Sequence, residues 1–251
     1  TPEEFTQAER SLDESLRRAL DYAIENVRTF HRAQVSHADH SVQVRPGIIA
    51  TERVTPIDSV GLYVPSGRGS FPSMMYMLGV PAALAGIETI AVTTPPRPDG
   101  TVDPAVLYAA AACGITEVYR IGGAQAVAAL AWGTETVPAV RKVVGPGSAY
   151  VAAAKRLVAD VIDVGLPAGP SESIVVADES ADPWVVALDL MIEAEHGSDS
   201  AALLVTPSPA LAEAVQGHMT TLIEDVPEPR RTFLTEVFTS YGGIILTSDE
   251  R

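Results

Sequence analysis

Leu12, Leu16, Leu20, Ala23, Ile24, Val27 and Phe30 recur at intervals of three and four, while Arg17, Arg18, Asp21 and Glu25 fall on the opposite side. That periodicity predicts one long amphipathic helix at the start of the chain. Thr1 as cap, Pro2 at the first helical position and Glu4 three residues on mark its beginning, and it is expected to reach about residue 31. The pattern changes from Val42 onward: Arg45-Pro46-Gly47 punctuates, and the runs 48–54 and 59–65 read as strands. From Tyr63, strand-like runs at 89–94, 117–120 and 142–144 alternate with Ala-rich helical stretches at 103–113, 124–131 and 149–159. Such a rhythm predicts βαβ units and a parallel, doubly wound sheet.

Residues 166–173 form an irregular crossover before a strand at 174–178. Asp182-Pro183 starts a helix expected to turn Trp184, Val185, Leu188 and Met191 inward. A strand at 202–206, helices at 209–223 and 229–238 and a strand at 243–247 follow. The fold class expected is therefore α/β: two Rossmann-like, doubly wound parallel-sheet domains preceded by a long N-terminal helix. Residues 1–60 and 172–251 are assigned to one discontinuous domain that carries the metal candidate, and 61–171 to the second, on the cofactor side.

Composition narrows the function classes. With 251 residues, 47% of them hydrophobic and 20% charged, the chain has ordinary globular composition. A formal charge of -15 repels phosphate backbones, so nucleic acid is not an expected partner. No apolar run approaches a membrane span, and the first residues are acidic rather than a basic leader, so a soluble, cytoplasmic protein without a membrane partner is expected. The single cysteine, Cys113, excludes an internal disulfide and a clustered Cys zinc site. Cys113 ends a small apolar helix with no basic group beside it in sequence, which favours a buried structural thiol over a nucleophile.

Three glycine-containing turns follow strands on one edge: Pro65-Ser66-Gly67-Arg68-Gly69-Ser70, Ile121-Gly122-Gly123-Ala124-Gln125, and Gly145-Pro146-Gly147-Ser148-Ala149. Open α/β sheets bind ligands at the carboxyl ends of their strands, where helix starts offer N–H groups to phosphate. No full G-x-G-x-x-G is present, so two readings stand: a dinucleotide across the turns, or glycines that only permit tight bends. Arg68, within the first turn, either pairs with an anionic group or faces solvent.

The metal candidate is Glu193-Ala194-Glu195-His196-Gly197. A carboxylate and an imidazole three residues apart project from one helical face, and both are ordinary zinc donors. A catalytic zinc needs a third protein donor, so a solvated acidic helix end is the competing reading. His31, His37 and His40 form a second, weaker candidate at a polar helix exit.

In order and spacing, Gly61-Leu62-Tyr63-Val64-Pro65, Gly122-Gly123-Ala124-Gln125-Ala126, Gly133-Thr134-Glu135, Gly145-Pro146-Gly147, Pro167-Ala168-Gly169-Pro170-Ser171-Glu172 and Ala194-Glu195-His196-Gly197 through Asp199-Ser200 resemble the histidinol dehydrogenase family. The resemblance spans essentially the whole chain. It implies a zinc-dependent, NAD-linked homodimer that oxidises a small amino alcohol twice, through an aldehyde, to the acid. His196 resembles the family's zinc-binding histidine, and Glu193 stands where the family usually has a zinc-binding glutamine. Ser171 resembles the substrate-contacting serine. Tyr63 and Gln125 resemble residues that line the nicotinamide cofactor, and Ser148 occupies the place of a cofactor-contacting asparagine.

The general base and the remaining zinc ligands of the family follow the last strand seen here, so no catalytic residue is assigned within this chain and the expected location is downstream of Arg251. On the resemblance, this chain is the central part of a longer enzyme. The expected substrate is L-histidinol; a small polar diol such as 2,3-dihydroxypropane-1-sulfonate is the alternative, and a non-catalytic nucleotide-binding or interaction module is the alternative of another class.

Overall fold

The structure is a computed structural model that describes residues 1–35, 39–67, 69–166 and 172–248. Two compact units divide the chain, Thr1–Ala168 and Gly169–Arg251.

The first unit opens with α1 (Pro2–Ser11) and α2 (Glu14–Gln34) in place of one continuous helix. The break has a local cause: Leu12 is extended, and the Asp13 side chain accepts from the Ser15 N–H at 2.7 Å, capping α2. Ala8, Leu20 and Ile24 are buried, whereas Leu16 and Phe30 of the expected apolar stripe remain exposed. An antiparallel hairpin follows, β1 (His40–Arg45) with β2 (Ile48–Glu52), turning at Pro46-Gly47 and exposed along both strands. The sequence indicated its second strand and its turn but not its first.

Next come β3 (Ser59–Tyr63), α3 (Pro72–Leu84), β4 (Thr89–Thr94), α4 (Pro104–Ala112), β5 (Val118–Arg120), α5 (Gly123–Trp132), β6 (Lys142–Val144) and α6 (Ala149–Leu157). Helix α3 is absent from the sequence-based reading. It is apolar on every side and contains Pro81, so no amphipathic stripe announces it.

The strands pair in parallel in the order β5-β4-β3-β6. After β5 the chain crosses back over the sheet to reach the far side of β3. Preserving the hand of the crossover while reversing direction puts the following helices on the opposite face. Two cores result. Val60, Leu62 and Val92 pack with α3 and α4 on one face, while Ala91 and Val143 pack with α5 and α6 on the other. Beyond β6, Asp163 makes one further parallel bridge to Lys142, with Val143 N–H donating to Asp163 O at 2.8 Å.

Ala8 and Ile24 belong to the core of the α3/α4 face, alongside Val60 and Val106. The terminal helices are thus part of the first unit. The sequence grouped residues 1–60 with 172–251; within the first unit the apolar side of α1 and α2 packs on α3 and α4.

The second unit contains β7 (Glu172–Val176), α7 (Pro183–Ala194), β8 (Ala201–Thr206), α8 (Pro209–Asp225), α9 (Arg230–Ser240) and β9 (Gly243–Leu246), with parallel strands in the order β7-β8-β9. Register places Val175, Leu204 and Ile244 side by side, and all three face one core shared with α7, α8 and α9. In α7 the buried residues are Val186, Ala187, Leu190, Met191 and Ala194. Trp184, Val185 and Leu188, expected inward, are exposed. The helix is apolar nearly all round, so periodicity alone does not select the inward face.

Candidate functional site

The three cofactor candidates all stand at the carboxyl edge of the first sheet. Tyr63 ends β3, Gln125 lies in the first turn of α5, and Ser148 caps α6. Tyr63 is 4% exposed, and its hydroxyl accepts a hydrogen bond from the Gly123 N–H at 2.9 Å. The helix needs that acceptor, since its own cap residue, Gly122, has no side chain to offer. A residue distant in sequence therefore caps α5 and ties the turn after β5 to the end of β3. Gln125 is exposed beside that turn, within van der Waals reach of Gly123.

The turn after β6 is pressed against the same tyrosine. Gly145 has φ +113, and a Cβ there would lie 2.1 Å from the Tyr63 carbonyl oxygen, so only glycine fits. Ser148 follows, exposed, with no side-chain bond into its helix. The glycines of this turn thus serve a close backbone approach between β3 and β6, the two strands at which sheet order reverses. Ligands of open α/β sheets sit at that reversal.

The metal candidates lie in the second unit. Helix α7 ends at Ala194, so His196 sits just beyond the helix rather than on its face. The last turn tightens, with His196 N–H donating to Glu193 O at 3.2 Å. Even so, His196 Nδ1 and Glu193 Oε1 come within 3.3 Å of each other. Between them in sequence, Glu195 accepts from Arg230 Nη1 at 3.2 Å, which fastens the end of α7 to the start of α9. The residues fit two positions of a zinc sphere: one carboxylate oxygen and one ring nitrogen already converge. No group of three or more His, Cys, Asp or Glu side chains assembles among the described residues.

The remaining candidates separate. Ser171, Arg68 and His37 lie outside the described residues. His31 Nδ1 meets Gln34 Oε1 at 2.7 Å on the exposed end of α2, in keeping with a polar helix exit. Cys113 is buried, and burial pushes its thiol up to about 11, which leaves it un-ionised at neutral pH. No described helix is long and apolar enough to cross a membrane. Sequence reasoning missed Lys155, which lies beneath the turn after β6; its only sequence signal is the Lys155-Arg156 pair at the end of an Ala-rich helix.

A reversing parallel sheet with glycine turns gathered at its carboxyl edge defines an open, doubly wound α/β protein, the class whose ligands sit at that edge. The family model for histidinol dehydrogenase matches residues 1–251, and the chain belongs to that family. It is 53% identical over 244 residues to the histidinol dehydrogenase of Synechocystis sp., covering 97% of this chain and 56% of that protein. A histidinol dehydrogenase homolog from Colwellia psychrerythraea is 49% identical over 249 residues, covering 99% of this chain and 56% of that protein. Among solved structures, histidinol dehydrogenase from Elizabethkingia anophelis superposes with a TM-score of 0.87 at 33% identity, covering 99% of this chain and 57% of that one. The chain thus spans a little over half the length of the relatives it matches.

Proposed function

We propose that the protein carrying this chain is a zinc-dependent, NAD-linked dehydrogenase that oxidises L-histidinol through histidinal to L-histidine, acting as a cytoplasmic homodimer. Family membership supports the reaction class, and the observation that carries the site is the 3.3 Å approach of Glu193 Oε1 to His196 Nδ1 at the end of α7. Glu193 and His196 would hold the zinc, which when bound supplies Lewis-acid polarisation of the alcohol oxygen. The chain's own contribution is positional. Arg230 fixes Glu195, and with it the last turn of α7, so the carboxylate and the imidazole keep their mutual spacing. Tyr63 holds the glycine turn that opens α5, and Gln125 and Ser148 flank the cofactor's berth from α5 and α6. Ser171 is proposed to contact the substrate.

A second reading keeps the site and changes the alcohol. Relatives 49% identical carry the name histidinol dehydrogenase homolog, which leaves their alcohol open, and 2,3-dihydroxypropane-1-sulfonate is the alternative substrate. The test is zinc content and NAD reduction by the full-length protein with each alcohol, beside its His196→Ala variant. Zinc near stoichiometric in the parent, with at least a tenfold loss of metal affinity in the variant, supports the assignment. Turnover of one alcohol only selects between the two substrates. A parent protein that binds no zinc and reduces no NAD with either alcohol overturns the reading.

A further inference from the structure

Lys155 is 8% exposed in the last turn of α6, yet none of the described carboxylates pairs with it. Its Nζ donates instead to the Gly145 carbonyl oxygen at 2.5 Å. Burial lowers its affinity for the proton, as expected for an ammonium taken out of water without a counter-ion. A buried cation of this kind carries a desolvation cost that an apolar side chain of similar size does not. It lines a small cavity of about 40 Å³ together with Gly145, Gly147, Val151 and Val164.

The turn that Lys155 grips is held from its other side by the Tyr63 backbone, against which Gly145 is packed too closely for any Cβ. Gly145 is thereby pinned between β3 and α6. Three residues later the chain reaches Ser148, the cap of α6, at the strand pair where sheet order reverses. Releasing the ammonium frees this polar tie between α6 and the start of the turn.

We propose that Lys155 is a positioning residue for the dinucleotide: through the Gly145 carbonyl it sets the shape of the 145–148 turn that receives the cofactor's phosphates. The inference rests on the NAD reading proposed above. A preshaped turn lowers the ordering cost of binding, so its effect falls on cofactor affinity and not on the chemical step.

The experiment compares Lys155→Met, which keeps length without a donor, with Lys155→Gln, which keeps a donor without charge, in the full-length protein. Lys155→Met is expected to raise KM and Kd for NAD about tenfold with kcat at saturating NAD within about twofold, and Lys155→Gln to recover most of that loss. Unchanged NAD affinity in Lys155→Met overturns the proposal, as does an equal loss in both variants that tracks an equal drop in melting temperature. Amide exchange in the ligand-free protein separates this proposal from the NAD reading. Faster exchange at Gly147 and Ser148 in Lys155→Met, in a parent that takes up no NAD, upholds the clamp and overturns the cofactor. Unchanged exchange in a parent that binds NAD overturns the clamp alone.

Discussion

Replacing Tyr63 with Phe removes one oxygen atom and leaves the ring in its core, which isolates the bond that joins the end of β3 to the start of α5. The ring is 4% exposed and packs with Ala126 and Leu130, so the apolar contacts survive. What is lost is the acceptor for the Gly123 N–H, 2.9 Å away in a partly buried helix start. An unsatisfied amide there costs about 1–2 kcal/mol, comparable to deleting a helix cap. For a unit of this size that corresponds to a fall of roughly 2–8 °C in the melting temperature. Calorimetry on the parent and variant gives the shift, and amide exchange at Gly123 reports the bond directly. Because the same turn carries Gln125, NAD affinity is expected to weaken in parallel. A variant that melts within about 1 °C of the parent and protects Gly123 equally well would refute the capping role.

Gly145→Ala drives a Cβ into the Tyr63 carbonyl at 2.1 Å with φ at +113, so unfolding by urea should show a loss of about 3 kcal/mol or more; a loss under about 1 kcal/mol contradicts the close approach. Leu204→Ala, at a fully buried position in the core of the second unit, should cost about 2–5 kcal/mol in the same assay. Cys113 predicts a pH effect. Burial raises its thiol from the usual 9.0 to about 11, so between those values the unfolded chain releases a proton that the folded chain keeps. Its contribution to stability is fully present below pH 9 and falls by on the order of 2–3 kcal/mol as pH rises to about 11. Cys113→Ala should flatten that fall, and an identical pH profile in parent and variant counts against the burial argument.

The alternation of strand-like and Ala-rich runs between Tyr63 and Ala159 was sufficient to indicate a parallel sheet, and six of its elements lie where the pattern placed them. Short, strongly typed segments are legible because side-chain period and breaker residues act locally. Helix α3 and the inward face of α7 were not legible for the opposite reason. Both are apolar almost all round, and only the neighbours decide which side is buried. The break between α1 and α2 follows from Asp13, a local cap whose effect was overridden in the sequence reading by an unbroken apolar repeat.

The candidate site divides along the same line. Glu193 and His196 are three apart, so chain geometry alone brought them close, although the helix ends before His196. The glycine turns and the residues within them were determined by the sequence, as were the overall acidity and the absence of a cysteine cluster. Tertiary structure alone decided that the Tyr63 hydroxyl would cap a helix starting sixty residues later, and that an isolated lysine in α6 would serve the backbone of Gly145. Local interactions depend on which residues are near in sequence and can be read from it. A buried donor's partner is whichever acceptor the packed core leaves beside it, and that is settled only when the sheet has reversed and its two cores have closed.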